Sequence, residues 1–441
     1  MTHPILPNIA RQSTRFRSIA LAIVLFSGAS SYAIDFGPEG MFSLTGFAKS
    51  EVRRGSNNCN ECQLYPLENK QRIWADDLVV GKPYGTSNSN VTLFQPWLGV
   101  KYDLGQGYKF NGLVSQRWRD GKHDIPGFWY EKNIAISHDD YGSLRVGAMT
   151  TRTWSIADYP YGTNIGVASV WGSSGAGYGL VTKAVRYTSR KFDVAQGDLV
   201  VEARYDQGNR DFKINKPKFL ELYAQYYKGD LVIDAMFQDT RNGNPQAWSQ
   251  GPFTSLTPHA ADDPKLGGSG QSIAMVMGRY QLDSRIELSG GIRINRWSGA
   301  YAVITVPGAQ AQWNNMFNVD WNGQLNGVPN PGYAARTVDT MLGARYRMGQ
   351  WTAHTGLTYL GKANTSNPSE RGQSNAALIN TLGLGYEVRQ GFQVYGFVGI
   401  VNYARIGLAP MSMPSNTAFT NVDSRVTRTG NWAGLGAVYV F

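Results

Sequence analysis

A chain of 441 residues is long enough for two or three soluble domains or for one large closed barrel. Its 51 Gly, 24 Tyr, 18 Phe and 12 Trp, with only 2 Cys and 17% charged residues, make a composition of turn and strand formers that disfavours helix-rich folds. The formal charge of +10 marks a basic protein, and a charge total does not distinguish anionic lipid from anionic solutes as its counterpart.

Residues 1–33 read as a secretory signal peptide. Arg11, Arg15 and Arg17 form a basic start, Ile19 to Phe26 an apolar stretch, and Ser31-Tyr32-Ala33 a small-x-small cleavage site. Removing this segment lowers the charge from +10 to +7. The apolar stretch is too short to cross a bilayer, and no later segment has 18 consecutive apolar residues, so any crossing of a membrane must use strands.

From Ile34 to Phe441 the chain reads as one unit in which segments of about ten residues alternate apolar and polar positions and then turn. In the first segment, Phe42, Leu44, Gly46 and Ala48 fall on one face and Ser43, Thr45, Lys49, Glu51 and Arg53 on the other. Strands are expected near 41–53, 91–103, 108–119, 127–138, 143–150, 183–190, 198–206 and 219–228. A second set follows near 231–238, 271–282, 285–297, 337–348, 351–360, 375–388, 392–403 and 430–441.

Every second connection is tight, as at Leu104 to Gly107, Gly229-Asp230 and Gly349-Gln350. The intervening connections at 54–90, 151–182, 239–270, 298–336 and 404–429 are long. Tyr102, Tyr108, Tyr141, Tyr226, Tyr280, Tyr346, Trp351, Tyr386 and Phe392 all lie within a few residues of a tight turn, as an aromatic girdle at a membrane interface would. Hydrocarbon offers no hydrogen-bond partners, so a sheet crossing it must close on itself. The expected fold is all-β: a transmembrane 16-stranded antiparallel β-barrel with short periplasmic turns, long extracellular loops and an aqueous lumen.

Four stretches then resemble the general porins of Gram-negative bacteria. They are Phe42-Ser43-Leu44-Thr45-Gly46-Phe47, Tyr141-Gly142-Ser143-Leu144-Arg145-Val146-Gly147, Val185-Arg186-Tyr187-Thr188-Ser189 and the terminal Tyr439-Val440-Phe441. The resemblance implies a homotrimer, a third loop (151–182) folded into the lumen as a charged constriction, and recognition of Phe441 and Tyr439 by the outer-membrane assembly machinery. It also implies outer-membrane lipid and lipopolysaccharide as surroundings. The third loop departs from the family pattern in carrying a single acid, Asp158.

Strand parity places Lys49, Arg53, Lys101, Arg117, Arg119, Arg145 and Arg186 on the polar face, met by few acids beyond Glu51, Asp103 and Asp158. Such a channel would favour small hydrophilic anions. Phe47, Trp97 and Trp129 are expected to point inward, packing under the third loop or, in a substrate-specific channel for sugars or carboxylates, stacking on a solute. Cys59-x-x-Cys62, in an exported chain, favours a loop disulfide over a redox or zinc site. No G-x-S-x-G, H-E-x-x-H or P-loop occurs, so neither an enzyme nor a metal, cofactor or nucleic-acid partner is expected. A non-conducting surface adhesin or receptor is a further alternative, for which the sequence supplies no separate plug domain, and a soluble secreted β-protein is the last, which would have to explain outward faces such as Ile286, Leu288, Ile292 and Ile294.

Overall fold

The computed structural model describes residues 33–56, 86–123, 128–152, 180–208, 210, 213–214, 216–242, 269–303, 312–315, 324–325, 328–329, 333–362, 364–365, 376–404 and 429–441. Its wall consists of sixteen antiparallel strands. They begin with β1 (Phe42–Ser56), β2 (Thr86–Gly105), β3 (Tyr108–Ser115) and β4 (Glu131–His138). Next come β5 (Gly142–Thr150), β6 (Leu180–Thr188), β7 (Gly197–Asp206) and β8 (Lys218–Lys228). The second half holds β9 (Leu231–Arg241), β10 (Ser269–Gln281), β11 (Ile286–Val303) and β12 (Tyr333–Met348). The last four are β13 (Trp351–Leu360), β14 (Ala377–Arg389), β15 (Phe392–Tyr403) and β16 (Thr429–Val440).

Each strand pairs with its chain neighbour, and β16 returns to β1 in the register Phe47↔Val440 to Ser56↔Asn431, which closes the barrel. Two main-chain bonds finish the seam: Gly46 N–H donates to the Phe441 carbonyl at 2.7 Å, and Phe441 N–H to the Gly46 carbonyl at 2.9 Å. Closure leaves no row of unpaired amides along either margin of the sheet.

The strands form here because β-branched, aromatic and alternating residues suit a pleated surface with two different sides. Outer positions carry Leu98, Ile134, Ile136, Leu222, Val276, Leu342, Leu382 and Leu435, all exposed in the isolated chain. Inner positions alternate with them and carry Lys49, Glu51, Arg53, Glu202, Arg204, Glu221, Arg293 and Asp339, all buried. Such an inside-out distribution of polarity is wrong for a water-soluble barrel and right for one with a greasy exterior.

Two details differ from the sequence expectation. The third strand is interrupted after Ser115, where Gln116 and Arg117 break the ladder before Trp118–Arg119 resume pairing with β2. The fourth begins at Glu131 rather than near residue 127, so Trp129 precedes the wall; it is 40% exposed and meets Phe128 edge-on. Trp129 therefore does not join Phe47 and Trp97, which pack on each other at the inner wall. The aromatics placed by sequence beside the tight turns do ring one rim, with Tyr102, Tyr108, Tyr141, Tyr280, Tyr346 and Trp351 exposed on the outside.

Candidate functional site

The inner wall between β1 and β8 holds the charges that sequence parity singled out. On β1, Glu51 lies between Lys49 and Arg53; Lys49 Nζ is 3.4 Å from one carboxylate oxygen, and Arg53 donates to the other. Tyr395 on β15 reaches across β16 to donate its hydroxyl to Glu51 at 2.6 Å. This contact needs Gly436 between them, because a Cβ there would sit 2.5 Å from the Tyr395 ring tip. Three strands around the seam are thus tied by one side chain lying over a glycine.

Arg117 is buried on the inner side, where Nη1 donates to Gln95 Oε1 at 2.8 Å and the guanidinium stands 5.7 Å above the Tyr130 ring. Arg119 faces the same way opposite Leu93. Lys101 lies on the inner face opposite Asn111, near the short-turn rim. Asp103, one of the acids expected to offset the cations, caps its own turn by accepting from Gly105 N–H at 2.7 Å.

The most concentrated charge lies on β5 to β8. Arg145, Arg186 and Arg204 stand directly opposite one another on three successive strands, and Arg204 is next opposite Glu221 on β8. Arg145 donates to Asn133. Arg204 is 3.0 Å from Glu221. Arg186 makes no ion pair with a carboxylate among the described residues, and its Nε is buried without a hydrogen bond. Like charges placed directly opposite on a sheet repel, and Glu202 on β7 is the acid that offsets this repulsion at Arg186.

Sequence reasoning left out the acids that answer this row. Glu131, Glu202, Asp206 and Glu221 all lie on the inner wall and are buried. The expectation that the inner wall carries few acids is therefore corrected: Glu202 on β7 pairs with Arg152 and Glu221 on β8 with Arg204, because the fold brings distant segments side by side. The signal was present in Glu202, Arg204 and Asp206, which alternate along β7.

Arg152, also missed, shows where the chain goes after β5. Its guanidinium passes β6 to donate twice to Glu202 on β7, at 2.6 and 2.5 Å, and its main-chain N–H reaches the Glu221 carboxylate on β8 at 3.0 Å. The same guanidinium lies 4.6 Å above the Tyr223 ring. At the return end, Val181 is fully buried and packs with Met149, Ala184 and Phe219. Both described ends of the 151–182 connection thus lie against the inner wall. Asp158, Cys59 and Cys62 fall outside the described residues, as do residues 1–32.

At the seam, the Phe441 ring lies over Gly46, where a Cβ would come within 2.6 Å of it, and stacks between Phe94 and Tyr439 at 6.3 and 5.9 Å. The two terminal aromatics named from sequence are therefore built into the outer face of the closed wall.

No family model matches the chain, and no curated protein matches it by sequence. Solved structures do. A loop-deletion form of OmpT, an outer membrane protein of Vibrio cholerae, superimposes with a TM-score of 0.56 at 13% identity, covering 91% of this chain and 99% of that one. Outer-membrane expressed OmpT of Vibrio cholerae gives 0.53 at 11% identity, covering 92% and 100%. Its in-vitro folded trimer form gives 0.53 at 12% identity, covering 91% and 99%. Identities this low establish a shared architecture and nothing finer: the chain has the fold of an outer-membrane β-barrel.

Proposed function

We propose that the protein is a porin of the bacterial outer membrane, a water-filled channel through which small hydrophilic solutes diffuse, with a preference for anions. The observation that carries this reading is the row Arg145, Arg186, Arg204, three guanidinium groups directly opposite one another on the inner wall of a closed sixteen-stranded barrel. A barrel of this strand number is wide enough to hold water, and clustered cations in a narrow low-dielectric passage concentrate anions. The described ends of the 151–182 connection, Arg152 held on Glu202 and Val181 packed with Met149, fit the expectation of a constriction loop, whose residues 153–179 lie outside the described ones. A homotrimer fits the same reading, and a trimer form exists for the Vibrio barrel with which this chain shares its fold.

Purified protein in planar bilayers tests the proposal. Stepwise ohmic conductance with a reversal potential of anion-selective sign across a potassium chloride gradient is expected. Insertion without conductance would favour a receptor or adhesin role, and a cation-selective sign would remove the arginine row from the account.

A further inference from the structure

Four methionines and one carboxylate meet on the inner wall of β9 to β12, beyond the arginine row. Asp234 and Met236 lie on β9, and on β10 Met277 and Met275 stand directly opposite them. Met277 in turn faces Gly291 on β11, which faces Met341 on β12. A Cβ at residue 291 would fall 2.6 Å from Met277 Cγ, so the glycine lets the Met277 side chain lie across β11 toward Met341. Asp234, Met236, Met275, Met277 and Met341 are all buried, whereas the alternate residues Phe237, Val276 and Leu342 are exposed on the outer face. Directly opposed side chains start from Cβ atoms about 5 Å apart, within reach of flexible thioethers.

The Asp234 carboxylate is only half satisfied. Oδ1 accepts from the Tyr223 hydroxyl and from Gln225 Nε2 at 2.7 Å, both on β8, while Oδ2 is buried with no hydrogen bond. Arg279 and Arg152 attract the group through their fields without donating to Oδ2. A buried carboxylate oxygen beside apolar side chains is costly unless a donor or a cation meets it.

Charge and softness together identify the cation that suits this place. Thioether sulfur is neutral and soft, so it holds Cu(I) and discriminates against hard ions that prefer oxygen. One carboxylate cancels one positive charge, so a monovalent ion leaves the buried cluster neutral, whereas a divalent ion would leave an excess beside Arg279.

We propose that Asp234, Met236, Met275, Met277 and Met341 form a binding site for a soft monovalent cation of the copper(I) type, held by thioether sulfurs and by Asp234 Oδ2. Methionine as a filler of irregular space accounts for the buried sulfurs but not for the unbonded oxygen among them. Sequence motifs built on His and Cys spacing pass over such a site, because its members come from three separate strands. The inference uses the geometry of the wall and is independent of which ion the channel prefers.

Anaerobic transfer of Cu(I) from a colorimetric chelator to the detergent-solubilised full chain tests it. The chain carries Cys59→Ser with Cys62→Ser, so that no thiolate competes for the metal. Withdrawal of a single equivalent per chain is expected. Met275→Leu with Met277→Leu keeps the apolar volume, removes two sulfurs and is expected to weaken binding about tenfold or more. Asp234→Asn should weaken it as well, and Met348→Leu, at the exposed rim, should not. X-ray absorption at the copper edge should show sulfur neighbours. No withdrawal by the parent chain, equal withdrawal by the leucine pair, or a loss confined to Met411→Leu with Met413→Leu in the 404–429 connection would each overturn the assignment. Heat-modifiability on gels checks folding, and should the leucine pair fail it, Met236→Leu alone carries the same comparison.

Discussion

Replacing Arg186 by glutamine removes one positive charge from the middle of the inner-wall row while leaving its neighbours and their partners in place. A unit charge about 5 Å from a passing chloride, in a water-like dielectric, contributes about 0.8 kcal/mol, and screening at about 0.1 M salt reduces this to about 0.5 kcal/mol. The expected effect is a roughly two- to fourfold drop in local chloride occupancy, with potassium rising by a similar factor. The change removes cross-strand repulsion from Arg145 and Arg204 together with an attraction to Glu202, which keeps its two hydrogen bonds from Arg152, so the variant should fold about as well as wild type. The assay is the reversal potential across a shallow potassium chloride gradient at low total salt. Arg54→Gln, which removes an outward cation on β1, is the control and should leave the potential unchanged. Equal shifts in the two variants, or no shift in either, would refute the reasoning, because charge on the inner wall would then not govern which ion passes.

Three further outcomes are expected. Gly436→Val should displace the Tyr395 ring and break its bond to Glu51, costing about 1.5–3 kcal/mol for a hydrogen bond to a buried charged group and about 1–3 kcal/mol for overpacking; Tyr395→Phe should lose only the first part, and thermal unfolding followed by gel mobility separates them. Gly46→Val should expel the Phe441 ring from the seam and slow barrel closure in detergent refolding, with deletion of Phe441 giving a similar defect and no additional loss when the two are combined. In the β10–β11 turn, the main-chain N–H groups of Arg285 and Ile286 hold the exposed Asp283 carboxyl below its ordinary value. A depressed folded value means the turn's support is present above the ordinary carboxylate range and is lost as pH falls through the lowered one; the amide shifts of Arg285 and Ile286 should therefore titrate together, with a midpoint below that of an ordinary aspartate.

How far the sequence carried the argument follows from which quantities are local. Whether Phe42 and Leu44 face one way and Lys49 and Arg53 the other depends only on the two-residue period of a strand, so strand identity, wall parity and the aromatic rim were legible from alternation and turn residues alone. The tight turns, being a few residues long, fixed which strands are neighbours. Alternation also carried errors. Trp129 continues the parity of β4 on paper, but the strand starts at Glu131, and nothing local announces the interruption after Ser115.

What the tertiary structure alone decided is which charges meet. Arg152 and Glu202 are fifty residues apart, Tyr395 and Glu51 are 344 apart, and their contacts exist because the wall curls until β16 adjoins β1 and because a glycine leaves room for a ring. The charge balance around Arg186 is likewise a property of closure, since it depends on Glu202, which also binds Arg152, and on Glu221, which pairs with Arg204. Sequence determined the two faces of the sheet through a periodicity built into every residue; registry around the closed wall determined the charge balance, because pairing energy depends on distances that no single segment contains.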